Sequence, residues 1–206
     1  MKRYFILVIS AIVMLSLVSC SSEGPKEAKK AAEPEKPAEP VGAQKAFYAV
    51  FPTARAWSPD IEVLQMADMR LEGPKGEPGT ALGWRVSFVS PSKGKVREFT
   101  YSVVKADGVD KGVASSREDS YSPKGQAKPF RTAAFKIDST AAMATAMTKG
   151  AEYAKKNPDK PITFLLESTP QFPNPAWRVI WGDSIATSNY SIYVDATTGE
   201  FLKTMR

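Results

Sequence analysis

The sequence predicts an α+β fold: two tandem repeats, each a helix packed on an antiparallel β-sheet. Two observations carry this. The tripeptide Trp-Arg-Val occurs twice, at Trp84-Arg85-Val86 and at Trp177-Arg178-Val179, each time inside a strand-like run. Each run follows a segment of apolar residues at helical spacing. The chain opens with a basic start and an apolar stretch, and its one cysteine, Cys20, follows directly.

The N-terminal segment comes first. Lys2 and Arg3 precede an apolar run from Phe5 to Val18, too short to span a bilayer and built like an export signal. It ends Leu17-Val18-Ser19-Cys20, which resembles a bacterial lipobox: a branched apolar residue, two small residues, then the cysteine that receives lipid. The resemblance implies a signal peptide over 1–19, and Cys20 as a mature N-terminus carrying diacylglycerol and an amide-linked acyl chain such as palmitate. Two or more chains, at about 0.8 kcal/mol per buried methylene, hold a protein stably on a membrane where one does not. Ser21 follows Cys20, with no Asp at that position. In a Gram-negative cell that pattern implies the periplasmic face of the outer membrane.

Residues 20–41 are expected to be a disordered tether. After Cys20 they are rich in Pro, Glu, Lys and Ala, with Val41 as the one branched apolar residue. Such a composition cannot bury enough apolar surface to offset chain entropy.

The first repeat is expected over 42–137. It opens AQKAFYAVFPTARAW, where Phe47, Val50, Ala54 and Trp57 share one helical stripe and Pro52 predicts a kink or restart. Strands are predicted over 61–71 (with a bulge), 82–89, 97–105 and 113–116. The second repeat is expected over 138–206. Asp138 or Ser139 caps its helix, Met143, Met147, Gly150 and Ala154 line one face, and Pro158 stops it. Its strands are predicted over 162–167, 176–181, 189–194 and 201–204. Laid over each other, 83–88 matches 176–181, and Tyr101-Ser102-Val103 matches Tyr190-Ser191-Ile192. Strand alternation puts Trp84, Val86, Phe88, Trp177, Val179 and Trp181 on the faces toward the helices, and Arg85 and Arg178 on the opposite faces.

The C-terminal stretch Tyr190-Ser191-Ile192-Tyr193-Val194-Asp195-Ala196-Thr197-Thr198-Gly199-Glu200-Phe201-Leu202 resembles a PepSY-type domain. The signature is a strand, then Val-Asp-Ala-x-Thr-Gly-Glu, then a second strand, and the resemblance covers roughly 138–206. The first half departs from it at Val104-Lys105-Ala106-Asp107-Gly108 and is a divergent copy. The resemblance implies control of peptidases or another envelope binding role, not catalysis.

Composition narrows the chemistry. There is no histidine, so no Ser-His-Asp or Cys-His arrangement and no His-containing zinc site can form. Gly182-Asp183-Ser184 resembles the nucleophile motif of one esterase family, but no base exists to activate the serine. No spacing suggests paired catalytic carboxylates, a metal site or a cofactor. The net charge of +6 is spread along the chain and does not point to nucleic acid. The expectation is a non-enzymatic lipoprotein of the bacterial cell envelope, bound to the membrane through its N-terminal lipid. It binds a peptide or envelope protein, a peptidase among the candidates, and its oligomeric state is open. The candidate binding face is Arg85, Arg178, Trp181 and Tyr193. The alternatives are a module that clamps a small anion between Arg85 and Arg178, and a purely structural envelope protein.

Overall fold

The computed structural model describes residues 37–123, 125 and 127–206. The signal peptide over 1–19, the lipobox, Cys20 and the tether as far as residue 36 lie outside the described residues. The folded unit is Pro37–Arg206. It begins inside the expected tether, because Val41 is buried and exchanges backbone hydrogen bonds with Ala81. The one branched apolar residue of that segment has joined the core.

The fold is α+β. Its elements are α1 (Ala43–Trp57), β1 (Glu62–Met69), β2 (Gly83–Ser90), β3 (Lys95–Ser102), β4 (Gly112–Ser115), β5 (Asp119–Ser120), α2 (Ser139–Lys149), α3 (Ala151–Lys156), β6 (Ile162–Glu167), β7 (Ala176–Trp181), β8 (Ser191–Asp195) and β9 (Phe201–Met205). Every strand joins one sheet, in the order β4-β3-β2-β1-β6-β7-β8-β9, with β5 pairing beside β4 on β3. All pairings are antiparallel. The two sheets expected from the sequence are therefore one, joined edge to edge by β1 and β6. That seam is short: Gln65, Met66 and Ala67 face Glu167, Leu166 and Leu165. Beyond it the Asp68 carboxylate accepts the Phe164 N–H at 2.6 Å, a side chain taking over where the backbone ladder ends. At the other end, Lys128 bridges to Ser168 and Phe130 to Val63.

Strand register corrects one sequence alignment. Trp84 pairs with Tyr101, and Trp177 pairs with Val194. The separations are equal, 101 − 84 = 17 and 194 − 177 = 17. Tyr190 instead sits across from Trp181, whose N–H donates to its carbonyl. The Tyr-Ser-Val and Tyr-Ser-Ile tripeptides thus occupy different rungs and are not equivalent positions.

The core lies between one sheet face and the helices. Alternation along β2 and β7 sends Trp84, Val86, Phe88, Trp177, Val179 and Trp181 into it. Trp84 and Trp177 meet edge to face at 6.2 Å across the seam. Each indole N–H finds a backbone carbonyl just ahead of a helix: Trp84 donates to Val41 at 2.9 Å and Trp177 to Ile137 at 2.8 Å. Burying an indole without such a partner costs stability.

Two helix expectations change. Pro52 lies inside α1 without ending it. Pro52 and Tyr48 are on the exposed side, so the carbonyl that Pro52 cannot satisfy opens to water. The second helix breaks at Gly150 into α2 and α3. A Cβ there would meet Ile192 Cδ1 at 2.9 Å and the Ala146 carbonyl at 3.0 Å, so glycine marks the point of closest approach to the sheet. Met147, expected on the apolar stripe, is exposed.

Candidate functional site

The sheet face away from the core carries one row of side chains. Register places Thr100, Arg85, Ala67, Leu165, Arg178, Tyr193 and Lys203 side by side across β3, β2, β1, β6, β7, β8 and β9. The central pair, Ala67 and Leu165, sits on the β1–β6 seam. Arg85 and Arg178 flank it, one strand out on either side. The residue-by-residue alternation that sent the tryptophans inward aims these arginines the other way.

The two arginines do not converge. Two strands lie between theirs, so at roughly 4.8 Å per strand spacing their backbones are about 14 Å apart. Arg178 also leans away from Arg85. Its Nε donates to Ser191 Oγ at 3.0 Å, its guanidinium lies 5.5 Å from the centre of the Tyr193 ring, and its Nη2 reaches Met205 Sδ at 3.3 Å. A clamp on one small anion between Arg85 and Arg178 is not the geometry present. Arg178 turns its Nε and Nη2 donors toward its own sheet. Arg85 is exposed and makes no hydrogen bond or ion pair among the described residues.

Trp181 does not belong to this face. It is 1% exposed and packs in the core against Tyr153 and Tyr190, which stack on each other at 3.8 Å. It follows Ile180, so the same alternation that exposes Arg178 buries Trp181. Tyr193 does lie on the face, but Phe172 from the β6–β7 connection covers it at 5.2 Å and leaves it 7% exposed. Burial raises its phenol pKa, against the opposing charge of Arg178 and with a smaller push from Glu167. Burial likewise raises Glu167, opposed by a hydrogen bond from Gln65 and the charge of Arg178.

Around Arg85 the face forms a cavity of about 510 Å³. Ala67, Leu165 and Ile180 line its base, Ser87, Glu98 and Thr163 its sides, and the β7–β8 connection from Asp183 to Ala186 its rim. That rim is the surprise. Gly182-Asp183-Ser184 is the start of a wall, and its groups are engaged locally. Asp183 pairs with Arg70 at 2.9 Å, while Arg70 Nη2 also donates to Thr163 Oγ1 and to the Gly182 carbonyl. Ser184 Oγ lies 3.0 Å from Thr187 Oγ1. Sequence spacing gave no sign of this wall, because Arg70 and Asp183 meet only through the β1–β6 seam.

The hairpin turn from Asp195 to Gly199 has a clear local basis. The Asp195 carboxylate accepts from the N–H groups of Thr197 and Thr198 at 2.7 and 2.9 Å, and Gly199 supplies a φ of 81°. It ends in β9, which among the described residues has β8 as its one neighbour in the sheet.

No family model matches the chain, and no curated protein matches it. Among solved structures, the crystal structure of a candidate lipoprotein from Clostridium difficile 630 aligns at 11% identity. The alignment covers 83% of this chain and 95% of that chain, with a TM-score of 0.44. That likeness is too distant to carry a fold or a function across. Among the described residues, no helix is long and apolar enough to cross a membrane. Nor do any of them place three His, Cys, Asp or Glu side chains to hold a metal ion.

Proposed function

We propose that this chain is a non-enzymatic binding module of the bacterial cell envelope. Lipid on Cys20 tethers it to a membrane, and it takes a peptide or protein partner on the sheet face that its helices leave uncovered. One observation carries the reading. At the centre of that face lies a cavity of about 510 Å³, within the range of ligand sites, with the unpaired Arg85 at its edge. The free edge of β9 offers a second purchase, by strand addition.

The same proposal holds that the chain is a tandem duplication, with PepSY-like units over 42–137 and 138–206. Its support is the equal spacing of Trp84 to Tyr101 and Trp177 to Val194, the matching indole bonds ahead of α1 and α2, and a strand order that reads alike outward from the seam. The PepSY resemblance makes an envelope peptidase the partner to look for first.

The test is affinity capture by the full chain in detergent from solubilised envelope, with Arg85→Ala and Arg178→Ala variants alongside. A protein retained by the wild type and lost with Arg85→Ala supports the uncovered face as the site. Retention unchanged in both variants moves the site to the β9 edge, and no retention removes the protein-partner reading. Lipidation is tested separately by the mass of the N-terminal peptide and by release of a Cys20→Ala variant from membranes.

A further inference from the structure

We propose that the cavity beside Arg85 receives the C-terminal residue of a peptide, with the free carboxylate on the Arg85 guanidinium and a branched apolar side chain toward Leu165, Ile180 and Ile185. This rests on the uncovered face being the binding surface and names the ligand it takes.

The argument begins with what each group lacks. Arg85 has a planar fork of donors with no hydrogen bond or ion pair among the described residues, only the longer-range charge of Asp68, and such a fork matches the two oxygens of a carboxylate. Arg178, at the equivalent strand position, is engaged by Ser191, Tyr193 and Met205, which leaves Arg85 as the arginine of the pair with open donors. The cavity lining combines polar groups with Ala67, Leu165 and Ile180, and its rim carries Ile185, 44% exposed. A ligand that fills the cavity therefore joins a carboxylate to an apolar group within a few ångströms.

Glu98 narrows the class further. It lies diagonally from Arg85 across β2 and β3, at roughly 7 Å, and lines the same cavity. An ionised carboxylate only accepts hydrogen bonds. A ligand with an N–H donor close to its own carboxylate, as the last amide of a peptide supplies, gains a hydrogen bond to it. A fatty acid has the apolar group and the carboxylate but no such donor, and gains nothing from Glu98.

The rim is held ready for this. Arg70 joins Asp183, the Gly182 carbonyl and Thr163, tying the β7–β8 connection to β6 before any ligand arrives. Asp183 is thereby paired with a cation, which offsets part of the negative charge at the rim. Arg70 is a positioning residue here, acting through the wall it fixes.

The experiment is isothermal titration of the full chain in detergent with three probes: acetyl-Ala-Ala-Leu with a free C-terminus, the same peptide as its C-terminal amide, and acetyl-Ala-Glu-Leu amide. The expected result is binding of the free acid, with at least about a tenfold loss on amidation and a similar loss in Arg85→Gln, partly restored in Arg85→Lys. Arg85 is exposed, so the melting temperature of these variants should match the wild type and exclude misfolding. Binding of the free acid that Arg85→Gln leaves unchanged overturns the proposal. Equal binding of the Glu-containing amide overturns the C-terminal assignment in favour of an acidic side chain. If no probe binds while the chain still retains an envelope protein through the Arg85 face, this inference falls and the proposed function stands. If neither occurs, both fall.

Discussion

The backbone N–H of Gln44 donates to Asp138 Oδ1 at 2.9 Å, across 94 positions of sequence. The same oxygen accepts from Ser139 N at 2.7 Å, at the start of α2. Next to it, Ser139 Oγ accepts from Ala43 N at 2.9 Å and donates to the Gly79 carbonyl at 2.7 Å. The first turn of α1 has no capping side chain of its own, since Gly42 precedes it. Its unpaired N–H groups are satisfied by the residues that begin α2.

Asp138→Ala should therefore cost more than an ordinary cap. A single cap contributes about 1 kcal/mol, and this carboxylate serves two helix starts, so about 2 kcal/mol is expected by urea denaturation. Asp138→Asn keeps an acceptor and should lose less. Equal losses for both substitutions would mean that charge rather than hydrogen bonding matters here.

Gly150→Ala should destabilise, although in an ordinary helix interior that change stabilises by about 0.5–1 kcal/mol. The added methyl would press on Ile192 Cδ1 at 2.9 Å, on the Ala146 carbonyl at 3.0 Å and on Trp181 Cη2 at 3.2 Å. Overpacking of this kind costs about 1–3 kcal/mol. A rise in melting temperature would refute the close-approach explanation.

Two buried acids should give pH slopes of opposite sign. Burial raises Asp68 above its ordinary 3.8, against the Phe164 N–H and the charges of Arg70 and Arg85. A raised folded pKa favours the protonated form, so its contribution is full below the unfolded value and is lost as pH rises through the folded value. For Asp195, burial also acts upward, but hydrogen bonds from Asn174, Thr197 and Thr198 outweigh it and hold the carboxyl below 3.8. Its contribution is full above the unfolded value and is lost as pH falls through the folded value. Relative to wild type, Asp68→Asn should gain stability from acid to neutral pH, and Asp195→Asn should lose it. Stability measured across that range for both variants checks the signs, and parallel curves would contradict them.

The two arginines should separate cleanly in stability. Arg178→Ala loses a hydrogen bond to Ser191 and the contact with the Tyr193 ring, and should cost about 1 kcal/mol. Arg85→Ala removes no hydrogen bond or ion pair among the described residues, only a longer-range attraction to Asp68, and should leave the melting temperature nearly unchanged. A destabilised Arg85→Ala would reveal a structural role and weaken the case for a free binding group.

Unfolding should be a single calorimetric transition. The aromatic core runs unbroken across the seam through Trp84, Trp177, Phe164 and Phe135, so neither set of strands has a core to itself. Two resolved transitions would show that the β1–β6 seam is not a cooperative joint.

Much of this was legible in the chain itself. Alternation determined which face Trp84, Trp177 and the two arginines take, because a strand leaves its side chains no other choice. Helical spacing and the Asp138 and Ser139 pair located both helix starts, and Asp195 to Gly199 marked the last hairpin through local turn chemistry. What only the tertiary structure decided depends on contacts between distant segments. The joining of all strands into one sheet rests on three rungs between β1 and β6. The rung on which Tyr101 and Val194 stand, rather than Tyr190, is a matter of register, which composition does not encode. Above all, sequence treats Arg85 and Arg178 as equivalents, each preceded by Trp and followed by Val. Packing makes them different: Ser191, Tyr193 and Met205 gather around one, while the other is left with open donors beside a cavity. Local sequence determines the direction in which a side chain points, and only the folded neighbourhood determines what it finds there.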